Sequence, residues 1–229
     1  MPKSTYWADA YLEKRRRADE AMRVIRPGQR VFIGSACGQP QALVQALFES
    51  AGKLSGLEVV RLMSRETAAL TSLADQTQEF ALSIRTIYLG ATNAESIARH
   101  KRFITPINMS EVPDLFLSQK LPIHVALVHT SPPDDFGWMS LGVSVDVTLA
   151  AAFSADLVIA QVNSRMPRVL GQGFIHVNDV DVIVEHDEEL LTISPLPESE
   201  SANAIGRHIA NLIDHGSTMQ ISLGTTPQA

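Results

Sequence analysis

Apolar positions along the chain follow two periods in alternation. Short runs of consecutive aliphatic and β-branched residues read as strands: Val31–Ile33, Leu57–Leu62, Arg85–Tyr88, His124–His129, Leu157–Val162, Val180–Glu185 and Met219–Leu223. Between them, apolar residues recur every three to four positions and predict helices over Ala10–Ile25, Gln41–Ala51, Asn93–Arg99, Ser110–Ser118, Val145–Ser154 and Ala202–Asp214. Ser110 with Pro113, Asn93 with Glu95, and Ser199 with Ser201 have the character of helix starts. Runs such as Val125–Val128 and Leu157–Ala160 are apolar at every position, which suits strands covered on both faces. The alternation predicts an α/β fold whose mostly parallel sheet is flanked by helices.

One phrase of this rhythm occurs twice. "RVFIGSACGQPQALVQALFES", from Arg30, is a strand, a tight turn over Gly34–Gly38, and a helix entered through Pro40. "STMQISLGTTPQA", Ser217 to Ala229, repeats the strand and the turn but no helix follows. "SPLPES", Ser194–Ser199, punctuates the chain with two prolines just before the second copy. The boundary is therefore expected there, with residues 1–197 as one domain and 198–229 as a linker helix and the opening of another.

Composition narrows the function classes. A net charge of −6 opposes nucleic acid as a partner, because phosphate recognition needs a concentrated basic face. The basic run from Lys14 is interleaved with Asp19, Glu20 and apolar residues, as on a solvated helix face. A single cysteine permits no internal disulfide and fits a cytoplasmic setting. No stretch reaches the roughly 20 apolar residues of a membrane span, and the N-terminus has no secretory pattern.

Familiar catalytic signatures are absent from the sequence. Gly171-Gln172-Gly173 lacks the third glycine of a dinucleotide fingerprint, and neither a Walker lysine nor a Gly-x-Ser-x-Gly elbow is present. No metal set emerges: His124 and His129 are an odd number of positions apart on one strand, so they face opposite sides. His186 with Asp187, Glu188 and Glu189 reads as a solvated loop. Cys37 occupies the first strand-to-helix turn, where a thiolate is favoured, but no base accompanies it. The densest polar signal is Ala160–Glu185, where Asn163, Arg165, Arg168 and His176 surround Met166-Pro167 and a Gly-Gln-Gly turn. It is either a ligand-binding loop beyond the carboxyl end of a strand or a loop held by Pro and Gly.

Three segments, "RVFIGSACGQPQALVQAL", "FITPINMSEVPDLF" and "SPPDDFGWMSLGVSVDVTLAAAFSADLVIAQVNSRMPRVLGQGFIHVNDVDVIVE", resemble the acetyl-CoA hydrolase/transferase family, which includes 4-hydroxybutyrate CoA-transferases. The resemblance runs from about Trp7 to the last residue. It implies the first of two similar CoA-transferase domains (NagB/RpiA-like), each opening on a Gly-rich strand-to-helix turn. "LGTTPQA" then resembles the start of the second domain, with Gly224 and Pro227 retained and Ser222 where a glycine is expected. In that family a second-domain glutamate attacks an acyl-CoA and is captured as a glutamyl thioester, so coenzyme A is a substrate and no metal is implied. This chain would supply one wall of the cleft: Ser35, Gly38, Gln39 and Pro40 from the first turn, Asn163, Met166, Pro167 and Arg168 with His176, and Gly224. Arg168 would pair with a substrate carboxylate or, alternatively, with Asp179 or Asp181. The expected partners are an acyl-CoA, a small carboxylic acid and the missing C-terminal domain, with association through the face that domain would cover. Alone, such a chain is expected to lack turnover; the competing expectation is an acyl-CoA-binding or regulatory module without catalysis.

Overall fold

The computed structural model describes residues 6–50, 54–62, 83–87, 102–192, 199–222 and 224–228, which fall into two compact units, Met1–Leu191 and Thr192–Ala229. The first unit begins with helices α1 (Trp7–Lys14) and α2 (Ala18–Ala21). It continues through β1 (Arg30–Ile33), α3 (Gln41–Ser50), β2 (Glu58–Arg61), β3 (Ser83–Thr86) and β4 (Arg102–Ile104). After these come α4 (Val112–Leu117), β5 (Val125–Thr130), β6 (Trp138–Ser140), α5 (Thr148–Ser154), β7 (Leu157–Val162), β8 (Phe174–His176) and β9 (Val182–Glu185).

Among the described residues, seven strands form one parallel sheet in the order β4-β3-β2-β1-β5-β7-β9. The fully apolar runs are its centre: every residue of β5 is buried. Alternation divides their side chains between two layers. Val31, Ile33, Val125, Leu127 and Ile159 pack with Leu43, Val44 and Leu47 of α3. Phe32 and Val60 face Val112 and Phe116 of α4, Val147 just before α5 and Ala151 within it. Ala126, Val128, Ala160 and Ile183 meet Ala10, Trp7 and Tyr11 of α1.

The sequence expectation fails in instructive places. The helix expected over Ala10–Ile25 breaks after Lys14, because Arg15 bridges to Ile183 and the Arg16 N–H donates to the Ile183 carbonyl at 2.8 Å. The exposed edge of β9 takes those backbone groups from the helix. Strands β4, β6 and β8 were not expected; β6 and β8 pair antiparallel as a separate two-stranded ribbon. The helix start expected at Ser110 belongs instead to Asn108, whose backbone N–H bonds Glu111 at 3.3 Å in a capping box. Tyr88, Ala51, Leu223 and the helix expected over Asn93–Arg99 lie outside the described residues.

In the second unit, α6 (Glu200–Ala210) starts as expected, with the Ala202 N–H donating to Ser199 Oγ at 3.1 Å. A short helix α7 (Thr225–Gln228) follows. Residues 219–222 are not a strand, contrary to their pattern. A strand must trade its N–H and C=O groups with a neighbour, and none of the described residues of this unit forms one beside them.

Candidate functional site

Strand order sets the location. From β1 the chain builds outward to β2, β3 and β4, and from β5 it builds the other way to β7 and β9. The order reverses between β1 and β5, and the crevice beyond the carboxyl ends of those two strands is where an open α/β sheet receives ligands. A groove of about 360 Å³ lined by Arg16, Glu20, Arg23 and Asp181 lies instead toward the amino end of β9, away from this reversal.

The turn after β1 forms one side of the crevice. Gly34 stays on the sheet through its N–H to the Leu127 carbonyl at 2.9 Å. Ala36 then adopts φ +50°, a left-handed conformation uncommon for a residue with a Cβ. Among the described residues, the N–H groups of Ser35, Ala36 and Cys37 find no acceptor. Ser35 is fully buried; its Oγ donates to the Asp146 carboxylate, and Ser144 Oγ donates to its carbonyl at 2.6 Å. Asp146 also accepts from the Thr148 N–H and hydroxyl at 3.0 and 2.9 Å, so one carboxylate ties the turn to the start of α5. A Cβ on Gly38 would lie 2.3 Å from Ser144 Cβ; the two loops touch through the missing side chain.

Helix α3 follows this turn, and its first N–H groups are occupied by protein. Gln41 N–H donates to Glu188 Oε1 at 3.1 Å, and Ala42 and Leu43 donate to Gln161 Oε1 at 3.1 and 3.3 Å. The helix end therefore offers no vacant anion seat of the usual kind. Gln161 stands beside His129 in the β5–β7 register, both on the α3 face. His129 Nδ1 lies 3.3 Å from the Gln39 carbonyl, and its Nε2 lies 3.1 Å from Asn163 Nδ2 and 3.5 Å from Gln161 Nε2. Burial lowers the His129 pKa, opposed in part by the Glu188 carboxylate and the Gln39 carbonyl. The side-chain amide nitrogen of Gln39 is buried with no hydrogen-bond partner among the described residues.

The Asn163–Arg168 loop splits between two places. Asn163 is buried in the His129 cluster, while Met166 and Pro167 lie over Gly142, where a Cβ would sit 2.2 Å from Met166 Sδ. Arg168 turns to the β6–β8 ribbon. It bonds Asp134 Oδ2 at 2.6 Å and the Trp138 carbonyl at 2.9 Å, and its guanidinium lies 4.7 Å from the Phe174 ring centre. The Asp179 and Asp181 pairings expected for it are not made; Asp181 instead accepts the Val158 N–H. Desolvation works against the charge on Asp134, but the Trp138 and Phe136 N–H groups and Arg168 hold its carboxyl below the ordinary range. His176 Nε2 lies 2.9 Å from the Phe136 carbonyl, with its ring edge-on to Trp138.

Thus Ser35, Gly38, Gln39 and Pro40 come together with Asn163 at the reversal, whereas Arg168 and His176 are held at the ribbon. Gly224 belongs to the other unit, at φ +145° with a Cβ position 3.3 Å from Pro227 Cδ. Residues missed from sequence are His129, Ser144, Asp146, Gln161 and Glu188. The run at His186–Glu189 is exposed apart from Glu188, as expected of a solvated loop, yet it also clasps its neighbours: Asp187 takes the Ser164 N–H at 2.7 Å and Glu189 meets Arg165 at 2.6 Å. His129 and Gln161 carried one usable signal, a polar residue on a strand otherwise fit for burial. Cys37 is half-buried and forms no Sγ hydrogen bond among the described residues.

Comparison with known proteins adds to this geometry. The family described as acetyl-CoA hydrolase/transferase N-terminal domain matches residues 2–195. The chain is 38% identical over 223 residues to a 4-hydroxybutyrate coenzyme A transferase of Clostridium kluyveri, covering 97% of this chain and 51% of that protein. Among solved structures, RipA from Yersinia pestis matches with a TM-score of 0.86 at 27% identity, over 97% of this chain and 54% of that one. A 4-hydroxybutyrate CoA-transferase from Porphyromonas gingivalis matches with a TM-score of 0.76 at 31% identity, over 96% of this chain and 51% of that one. The chain spans about half the length of these proteins. With the parallel sheet and the Gly-rich turn at its reversal already in place, these matches establish that the chain belongs to the acetyl-CoA hydrolase/transferase family, as an N-terminal domain.

Proposed function

We propose that this chain forms one wall of the cleft of an enzyme that moves coenzyme A between an acetyl-CoA-like acyl-CoA and a small carboxylic acid. In this reading a glutamate from sequence beyond residue 229 is the nucleophile. Its carboxylate oxygen attacks the acyl carbon, the C–S bond breaks, and coenzyme A leaves as thiolate. The thiolate attacks the glutamyl carbonyl of the resulting anhydride and releases the first acid as its carboxylate, leaving glutamyl-CoA. An incoming carboxylate reverses the sequence, and water in its place gives hydrolysis.

The observation that carries the reading is the turn after β1 at the strand-order reversal, with three consecutive N–H groups lacking an acceptor among the described residues. Such donors suit the oxygen that becomes negative as the acyl carbon turns tetrahedral. Gly38, Gln39 and Pro40 form that turn, Ser35 fastens it to Asp146, and Asn163 reaches it through His129, which meets the Gln39 carbonyl. The relatives named as CoA-transferases support the substrate class. Arg168 serves a carboxylic acid only by sharing its guanidinium with Asp134.

Assays should follow coenzyme A transfer from acetyl-CoA to short carboxylates, 4-hydroxybutyrate among them, by the 229-residue chain and by a form extended through a second domain. Turnover only by the extended form, with a hydroxylamine-sensitive enzyme thioester, is expected. Turnover by the short chain overturns the placement of the nucleophile. Tight acetyl-CoA binding by the short chain without turnover by either form favours a binding module.

A further inference from the structure

We infer that His129 is a positioning residue, held neutral with its proton on Nδ1, that locks the turn after β1 to the Asn163 loop and releases both when protonated.

The argument starts from the backbone. Asn163 Oδ1 accepts the N–H groups of Arg165 and Glu188 at 2.9 and 3.4 Å, so its oxygen cannot be exchanged for its nitrogen without opposing two donors. Its Nδ2 consequently points at the Glu188 carbonyl, 2.8 Å away, and at His129 Nε2. Gln161 is fixed in the same way, because Oε1 accepts from Ala42 and Leu43 while Nε2 donates to Glu188 Oε1 at 2.6 Å. Two amide N–H donors of fixed direction therefore face one ring nitrogen. That nitrogen must be a lone pair, and the ring proton lies on Nδ1, toward the Gln39 carbonyl.

A second proton has no acceptor at Nε2. It would set three donors against one another, and neither amide can turn without giving up backbone bonds. The charged groups acting on His129 among the described residues are Glu188, which favours protonation, and His186, which opposes it. Glu188 is already engaged with Gln41 N–H and Gln161, so its help to a cation comes at the expense of the α3 cap. Protonation should loosen the loop at Arg165 and Met166, whose N–H groups bond Asn163, together with the turn at Gln39. The inference deepens the reading of this crevice as the working site, and because its test uses no substrate, either can fail while the other stands.

The test is a two-bond ¹H–¹⁵N spectrum of the histidine rings of the chain, recorded from pH 8 to 4.5, with amide exchange at Arg165 and Met166 followed over the same range. The expected result is a neutral Nδ1–H tautomer for His129 that persists well below its ordinary pKa of about 6.5, with amide protection falling as the ring finally titrates. An Nε2–H tautomer, or titration at or above the ordinary value in the folded protein, overturns the inference. His129→Gln supplies an acceptor for Asn163 without a titratable ring and should keep the two amides protected across the whole range. Acid-dependent loss of protection that persists in His129→Gln would assign the release to another group and also overturn it. If that variant does not fold, the wild-type spectrum alone decides.

Discussion

His129 is the residue at which burial, charge and loop position meet, and it makes a thermodynamic prediction. Its folded-state pKa is lowered, chiefly by burial. Above about pH 6.5 folded and unfolded forms are both neutral there, and its contribution is complete. As pH falls below that value the unfolded chain takes up a proton that the folded chain refuses, so stability is lost until the folded pKa is passed. Wild-type protein should lose stability relative to His129→Gln with a slope approaching about 1.4 kcal/mol per pH unit in that window. Denaturant titrations of both proteins at several pH values measure it, and parallel curves would contradict it. Gly38 is a second residue-scale test: an added Cβ meets Ser144 backbone-proximal carbon at 2.3 Å rather than a flexible tip. Gly38→Ala should cost about 1–3 kcal/mol of stability, read by thermal melting. Arg168→Met in an extended, active form should raise the apparent Michaelis constant for the carboxylic acid severalfold if the guanidinium is shared with substrate; an unchanged constant confines Arg168 to Asp134.

At the scale of elements, local pattern and tertiary demand disagree where the sheet has an edge. Nothing in Ala10–Ile25 forbids a continuous helix, yet the chain opens at Arg15–Arg16 to cover the edge of β9. Arg16→Pro compared with Arg16→Ala should isolate that bond, because both variants lose the guanidinium bonds to the Glu13 and Arg15 carbonyls and Arg15 already has the extended backbone that a following proline favours. Loss of the N–H to Ile183 is expected to cost about 1–3 kcal/mol, visible as a lower denaturation midpoint with an unchanged slope. A midpoint equal to that of Arg16→Ala would show that the bond contributes nothing to the break. Residues 219–222 are the converse case, strand-like in pattern but without a ladder in their own unit. Ribbon strands β6 and β8 were illegible for a third reason. They have three residues each, too few to show alternation, and they lie more than thirty positions apart in the sequence.

For the molecule as a whole, the chain is an N-terminal domain of the acetyl-CoA hydrolase/transferase family that spans about half of its relatives. The proposed consequence is that catalytic competence depends on sequence beyond residue 229, which the paired transfer assays decide. The sequence by itself determined the α/β class, the buried central strands, the turn at Gly34–Pro40 and the family. Each of these is written locally, in consecutive apolar residues, in a Gly-Pro-bounded turn, or in long motifs. Only the tertiary structure decided that Asn163 belongs with His129 while Arg168 and His176 belong with the ribbon. It likewise decided that Glu188 caps a helix almost 150 positions earlier in the chain. These assignments depend on hydrogen bonds between segments far apart in sequence, whose partners are chosen by strand order and register. No local pattern carries that information, because one polar side chain has the same spacing whether it ends in solvent or against a buried ring.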